Sequence, residues 1–342
     1  MKQVSRFNDA RNYTNVHADC GFDRQRIHDK AVYATEDNET VNRIMAPYCY
    51  TPVEKIRSML DEADIAIIEE VARSKYLASL QIYQYLGLRD FRLQRSGLRN
   101  RLNKMVKYHI LREHEITRHA AETGLRYYEL GGIGFLIARE RGVVFHKGNR
   151  FLKEQTKIDQ GVVEDPVKVK RILAANMVIL GLLRNGAALD GFAFNETVRP
   201  TQDGPITNDC ILRTQGMFWI DEDSVFLVEA VRSTPNGMRK IADKVSRYYA
   251  LMNNNAYLAE NAHGHRALPQ LIICAESPEH AQKIDAYLRS KGLWSETDTI
   301  LYTHDLLYMK DTLRTFYELT EDGTQVWYSL PSRYAQQEMR CA

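Results

Sequence analysis

Two acidic residues in the second half of the chain stand where they could share a divalent metal ion. Asp209 follows Pro205-Ile206-Thr207-Asn208 at the expected start of a strand, and Glu229 lies within the apolar run 225–231. Two carboxylates on neighbouring strands can hold one Mg²⁺, which activates water for phosphodiester hydrolysis. In the PD-(D/E)xK pattern of Mg²⁺-dependent DNA endonucleases a lysine follows the second acid by two residues, but that position here is Val231.

The missing lysine leaves two interpretations of these acids. Lys240 or Lys244, one turn apart on the next expected helix, could reach the site, making Asp209, Glu229, Lys240 and Lys244 catalytic and Asp209 and Glu229 the metal ligands. Otherwise Glu229 is a buried acid paired with Lys244 or Arg232. Because valine can neither position water nor stabilise the transition state, we expect an inactive site without a cofactor, with Mg²⁺ bound only under the first interpretation.

Other chemistries fit the sequence less well. A metal-dependent relaxase needs two histidines on one strand and a nucleophilic tyrosine. His263-Gly264-His265 and Tyr248-Tyr249 supply these residue types, but the residues around the histidines are not those of a buried strand. The run Gly131-Gly132-Ile133-Gly134 lacks the third glycine of a dinucleotide-binding loop and predicts a turn into a helix. No nucleophile-elbow sequence supports Ser-His-Asp or Cys-His hydrolysis.

Basic residues are concentrated in one segment of an almost neutral chain. The 342 residues include 46 Lys and Arg against 44 Asp and Glu, a formal net charge of +2. Between Arg89 and Arg118, nine basic residues accompany only three acidic ones, so this segment alone carries +6. Such a concentration is typical of a phosphate-binding element, and its alternative is a solvated helix face.

The apolar pattern around this segment predicts a winged helix-turn-helix over 51–141. A long amphipathic helix is expected over 53–71, and a short helix over 79–86 ends at Gly87. A third helix follows, and two strands, 110–112 and 125–130, form a hairpin after it. The third helix carries its buried stripe on Leu98, Leu102, Met105 and Val106.

The residues opposite that stripe have side chains suited to duplex DNA. In the major groove Arg can bridge O6 and N7 of guanine, Asn can bridge N6 and N7 of adenine, and Lys or Arg neutralises phosphates nearby. The alternative is a winged helix that docks only to protein. We expect base contacts from Arg95, Arg99, Asn100 and Asn103, and phosphate contacts from Lys104, Lys107 and Arg118.

The remainder of the chain predicts a second domain over 166–342. Helices are expected at 167–184, 237–252 and 278–290, between strands at 191–198, 209–213, 217–220, 225–231, 268–275 and 299–303, with a terminal hairpin after them. The order α-β-β-β-α-β is typical of a restriction-endonuclease-like mixed sheet. The fold class is therefore α+β / α/β, with a flexible polar arm at 1–50 and a linker at 142–165.

A family resemblance joins these features. The expected winged helix, Asn208-Asp209-Cys210, Val228-Glu229-Ala230-Val231 and the helix 240–248 together resemble the replication-relaxation family of plasmids and integrative mobile elements. Members join an N-terminal winged helix to a degenerate nuclease-like domain. The resemblance implies a protein that acts in mobile-element replication or relaxation, or in its regulation. Val231 departs from the family, where a second acid often follows the glutamate.

These observations set expectations for partners and location. The five scattered cysteines and the short longest apolar run, 177–183, predict a cytoplasmic protein without membrane contact. We expect double-stranded DNA as the main partner and a homodimer, because winged-helix proteins often bind paired half-sites. Relaxase or replication proteins are further candidate partners. A winged-helix transcriptional regulator with a sensing domain remains an alternative function.

Overall fold

The described part of the chain forms two compact units. The computed structural model describes residues 8–9, 33–45, 51–118, 124–149, 151, 164–200, 211–253, 259–260, 269–294, 300–308 and 314–331. The N-terminal unit takes its described residues from Glu36 to Leu173, and the C-terminal unit takes residues 8–9, 33–35 and those from Ala174 onward. Both units combine helices with β-sheet, so the mixed α/β class is confirmed.

Five helices of the N-terminal unit follow the predicted order, with one difference at the start. The long helix expected from Val53 is two helices, because the Asp61 side chain accepts from the Asp64 amide while the Asp64 carboxylate accepts from the Asp61 amide. This capping box starts a new helix. The helices are α1 (Val53–Ser58), α2 (Glu62–Ser74), α3 (Ser79–Leu88), α4 (Arg95–Lys107) and α5 (Gly132–Glu140).

The N-terminal unit also holds an antiparallel sheet with one unexpected strand. Its order is β2 (Thr40–Ile44), β4 (Leu111–Thr117), β5 (Leu125–Leu130) and β3 (Leu77–Ala78). The prediction of a flexible arm over 1–50 is wrong at β2. Val41 pairs opposite Ile116, and both side chains are buried, so pairing with a distant strand orders a segment that has little apolar periodicity of its own.

The C-terminal unit is built on a mixed eight-stranded sheet. Strands β10, β12 and β13 run parallel, and the other neighbouring pairs run antiparallel. The strands, in spatial order, are β1 (Asn8–Asp9), β6 (Gly191–Phe194), β9 (Gly216–Trp219), β10 (Val225–Ala230), β12 (Gln270–Ala275), β13 (Leu301–His304), β14 (Phe316–Leu319) and β15 (Gln325–Tyr328). A smaller sheet has the order β11 (Ala259–Glu260), β7 (Thr197–Pro200) and β8 (Leu212–Arg213).

Three helices cover the two faces of this large sheet. They are α6 (Pro166–Arg184), α7 (Gly237–Asn253) and α8 (Pro278–Ser290). Val245 of α7 and Ile284 of α8 share one apolar core with Leu227. The next residue, Val228, faces the other side of the sheet, and Gly216 lies opposite it on β9. Ile179 of α6 packs against this side, because it would lie 3.2 Å from a Cβ placed on Gly216. The result is a three-layer arrangement.

The boundary between the units differs from the predicted linker at 142–165. The described residues 142–149 belong to the N-terminal unit, where the His146 amide donates to the Ala72 carbonyl. The first half of α6 belongs there too, since Gln81 donates to the Leu173 carbonyl at 2.7 Å. Polar contacts with α3 therefore move the boundary into a helix. No helix among the described residues is long and apolar enough to cross a membrane.

Candidate nucleic-acid interface

Helix α4 presents a polar outer face because its apolar residues recur on one side only. Leu98, Leu102, Met105 and Val106 are buried, as their spacing predicts. The opposite side carries Arg99, Asn100, Asn103 and Lys107, all exposed, and Arg95 is exposed at the first turn. The helix contains no acidic residue. Its outer face therefore combines cations and amides that can donate hydrogen bonds with no carboxylate to repel a phosphate.

Arg101 does not belong to this outer face. Its guanidinium lies 2.6 Å from carboxylate oxygens of both Asp61 and Asp64, the two residues of the capping box that begins α2. Hydrogen bonds to the Asp64 amide and the Arg101 guanidinium outweigh partial burial and lower the pKa of Asp61. Arg101 therefore connects α4 to the first turn of α2.

Two of the predicted phosphate contacts have partners within the N-terminal unit. Lys104 is half-buried and its ammonium donates to the Met59 carbonyl at 3.2 Å. Arg118, at the end of β4, lies 2.6 Å from the Glu36 carboxylate, and both side chains are partly exposed. These cations would have to leave their partners, or share them, to reach a phosphate.

Other members of the basic segment are committed to the interior of the unit. Arg89 contacts the carboxylates of Glu69 and Glu70 at 3.3 and 3.6 Å. Arg112 is buried with its guanidinium over the Phe151 ring. The cations that face solvent on and just before α4 are thus fewer than the sequence count indicates. They are Arg92, Arg95, Arg99 and Lys107.

In the C-terminal unit, Glu229 lies on β10 and is closed off from solvent by its neighbours. Only 1% of its side chain is exposed, and the Lys244 ammonium lies 2.5 Å from its Oε1. The Gln215 amide donates to the same oxygen at 3.1 Å, and Lys244 also donates to the Arg213 carbonyl at 2.7 Å. One of the two sequence interpretations, a buried acid paired with Lys244, describes this geometry.

The other predicted members of the nuclease site are not brought together around Glu229 in the described residues. Asp209 lies outside the described residues. Lys240 is exposed on α7, and Arg232 is fully buried against Asp305, with contacts of 2.7 and 3.0 Å. A divalent cation at Glu229 would compete with the Lys244 ammonium, so the described residues do not fit a Mg²⁺ site. No group of three or more His, Cys, Asp or Glu among them is arranged to hold a metal.

The relaxase alternative is not supported by Tyr248. Tyr248 is buried in the core on α7, with its ring centroid 5.5 Å from that of Tyr249. A nucleophilic tyrosine must reach a phosphodiester, which a core side chain cannot do without unfolding its helix. His263 and His265 lie outside the described residues.

Sequence reasoning missed the residues that complete the Glu229 environment and a second polar junction. Gln215 accepts from the Ala230 amide as well as donating to Glu229, and it carries no motif that would single it out. Glu276, just after β12, accepts from the Thr35 amide and hydroxyl and from the Ser233 amide. These residues are far apart in sequence, so only the folded chain shows the contact.

Comparisons with protein-family models, with curated proteins and with solved structures found no match. The features of the described residues that bear on function are the outer face of α4 and the buried Glu229 on β10.

Proposed function

We propose that the protein binds double-stranded DNA in a sequence-specific way through α4. In this proposal the N-terminal unit is a winged helix-turn-helix in which α4 is the recognition helix and the β4–β5 hairpin is the wing. The observation that carries the proposal is the outer face of α4, where Arg99, Asn100, Asn103 and Lys107 are exposed together without an acidic residue. Arg and Asn are the residues that read guanine and adenine in the major groove.

The order of the elements supports the same proposal. The helices α2, α3 and α4 are followed directly by a two-stranded hairpin, and β3 pairs with β5 at its base. A helix with a braced inner side and a polar outer side can enter the major groove, which admits one α-helix. Protein docking, the alternative use of such a module, does not require exposed cations along the whole outer face.

We propose that the C-terminal unit is a nuclease-like scaffold without catalytic activity. The proposal is supported by the meander β6-β9-β10, the crossover through α7 and the parallel strand β12, since such an order is expected of a restriction-endonuclease-like core. The pairing of Glu229 with Lys244 is the observation that favours a scaffold over a Mg²⁺-dependent endonuclease. The same proposal includes a relationship to replication-relaxation proteins, a homodimeric state and a cytoplasmic location. It also includes partnership with relaxase or replication proteins.

Selection of bound duplexes from a random library tests the DNA-reading role. Arg99→Ala and Asn103→Ala should each weaken binding to the selected duplex by about 1 to 3 kcal/mol and relax base preference at one position. Lys107→Ala should weaken selected and unselected duplexes alike. Lys55→Ala, an exposed lysine on α1, is the matched control. Unchanged affinity in all three α4 variants would show that α4 is not the reading element.

A plasmid-nicking assay separates the scaffold from the endonuclease alternative. We expect no cleavage of supercoiled plasmid in Mg²⁺ or Mn²⁺, because phosphodiester hydrolysis needs a bound metal and an activated water. Nicking that disappears in both Asp209→Ala and Glu229→Ala would establish the endonuclease instead. Nicking that survives either substitution points to another site or to a contaminant, since a shared metal needs both acids.

A further inference from the structure

Charges of opposite sign are separated along the antiparallel pair β9–β10 of the C-terminal unit. The turn between the strands carries Asp221, Glu222 and Asp223, all exposed. At the other end of the pair, where Val228 lies opposite Gly216, Lys244 of α7 contacts Glu229 and the main chain of β8. Several cations surround that contact, so the strand pair β9–β10 has an acidic end and a basic end.

Five exposed cations make up what we call the cationic surface. None of them forms an ion pair with a side chain that the structure describes, although Asp243 is exposed on the same helix, three residues after Lys240 and four before Arg247, and the main chain of Glu260 on β11 pairs opposite Arg199. Solvated helix faces commonly pair charges at these spacings. The five residues are Arg199 on β7, Arg213 on β8, and Arg239, Lys240 and Arg247 on α7.

The two rows of this surface meet at Lys244. Its ammonium donates to the Arg213 carbonyl at 2.7 Å, which places this part of α7 against β8. Lys240 and Arg247 lie four residues before and three after Lys244, on the same edge of the helix. Arg213 pairs with Thr197, so Arg199, two residues further along β7, shares its face of the strand pair.

The opposite side of these elements explains why the cations must face outward. Val198 and Leu212 alternate with Arg199 and Arg213 along the strands and are buried in the core. Ile241 and Val245 of α7 belong to the same core. The apolar residues thus fix the orientation of both rows, with the exposed cations on the outward side.

We infer that the cationic surface binds the phosphate backbone of duplex DNA without reading its sequence. Several cations on a rigid helix and strand pair neutralise a row of phosphates, and the displaced counterions supply the affinity. No exposed asparagine or glutamine accompanies them among the described side chains of α7, so base recognition is not expected. The identification of the polyanion as DNA rests on the proposed function of α4. The existence of the cationic surface does not depend on that proposal.

The test uses the full-length chain with the DNA-contacting cations of α4 replaced by alanine. In the background Arg95→Ala/Arg99→Ala/Lys107→Ala, binding of a fluorescent duplex of arbitrary sequence is followed by anisotropy at several salt concentrations. Adding Lys240→Ala/Arg247→Ala should weaken the remaining binding roughly tenfold and reduce the slope of log K against log salt by about 1.8 for two phosphates. The matched control adds Lys283→Ala/Lys291→Ala, two exposed lysines elsewhere in the unit, and should change neither quantity.

Three outcomes count against the inference. It is overturned if the background variant retains no binding, if both added pairs weaken binding equally, or if the background variant binds phosphatidylserine vesicles but not the duplex. Thermal unfolding of each variant verifies that the fold is kept. If the background variant binds as well as the wild type, the α4 proposal fails, and the comparison of the two added pairs still decides the role of the cationic surface.

Discussion

Individual cations of the same type have different partners in this chain, and the partner decides the role of each residue. Arg99 faces solvent on α4, whereas Arg101, two residues later, lies against two carboxylates. Lys240 faces solvent on α7, whereas Lys244, one turn later, closes the Glu229 site. A lysine or arginine therefore indicates a DNA contact only after its neighbours are known.

The Lys244 side chain should be important for stability. Lys244→Met leaves the buried Glu229 carboxylate without its ammonium, and removal of one partner of a buried pair is costly. We expect the free energy of unfolding to fall by roughly 2 to 4 kcal/mol, measured by urea denaturation. The double variant Glu229→Gln/Lys244→Met should recover part of this loss, because no unpaired charge is then buried.

Lys240→Met is the matched control for this measurement. Lys240 is exposed on the same helix, so its loss should change the free energy of unfolding by less than about 0.5 kcal/mol. Equal effects at the two lysines would mean that the contact with Glu229 does not stabilise the fold.

The orientation of α4 depends on contacts at the junction between α1 and α2. Arg101 lies against Asp61 and Asp64, and Lys104 donates to the Met59 carbonyl. These contacts are on one edge of α4, beside its buried stripe and away from Arg99. They fix the rotation of the helix about its axis and hence which side chains face outward.

A double-mutant cycle tests this positioning role of Arg101. Arg101→Gln and Asp64→Asn should each reduce the preference for a selected over an unselected duplex, and the double variant should lose no more than the larger single effect. The salt slope should stay the same, because Arg101 neutralises no phosphate. A reduced slope in Arg101→Gln would instead make Arg101 a direct DNA contact.

The start of α6 is attached to the N-terminal unit by an ionic contact that responds to pH. Burial disfavours the charged form of Glu164, but Lys75 and Lys168 outweigh it and lower the pKa of Glu164 from 4.5 to about 2. A depressed carboxylate pKa stabilises the fold above the ordinary value, and this contribution is lost as the pH falls from 4.5 towards 2.

We therefore expect Glu164→Gln to destabilise the protein at pH 6 and to lose this effect on acidification. Urea denaturation of wild type and variant at a series of pH values measures the difference, which should shrink below about pH 4.5. Asp37→Asn, which changes an exposed carboxylate of the same unit, should show no such trend. A pH-independent difference at Glu164 would exclude the ionic contribution.

Across the whole molecule the net charge is +2, and among the residues that the structure describes it hides two separate concentrations of exposed cations. One is on the outer face of α4 in the N-terminal unit, and the other is the cationic surface of the C-terminal unit. Several other basic residues are already neutralised by acids inside their own unit. The net charge therefore underestimates how strongly the chain can bind polyanions. The number of basic residues between Arg89 and Arg118 overestimates how many cations α4 can offer to DNA.

The salt dependence of DNA binding by the full-length protein measures how many of these cations contact phosphates. On a duplex of arbitrary sequence Arg95 and Arg99 have no cognate base and contact phosphates instead, so replacing Arg95, Arg99 and Lys107 with alanine should reduce the slope of log K against log salt by about 2.7, or 0.9 for each phosphate no longer neutralised. Replacing Arg89, Arg101 and Arg112 should leave the slope unchanged, because acids or the interior already hold them. Similar slopes for the two triple variants would contradict this division of the basic segment.

Local patterns in the sequence determined most of the elements and their order. Apolar residues at helical spacing predicted α4 and its buried side, and the expected helix at 278–290 agrees with α8 residue for residue. Short apolar runs predicted most strands of the C-terminal unit. These properties depend on residues near one another in the chain, so they can be read without the fold.

Only the tertiary structure decided what depends on distant partners. Strand β2 exists because β4 supplies its hydrogen bonds, and α1 and α2 separate at a cap that Arg101 braces from another helix. The pairing of Glu229 with Lys244 was one of two interpretations open to the sequence. The contact itself depends on the packing of α7 against β8, since an acid and a lysine fifteen residues apart pair only where packing brings them within hydrogen-bond reach.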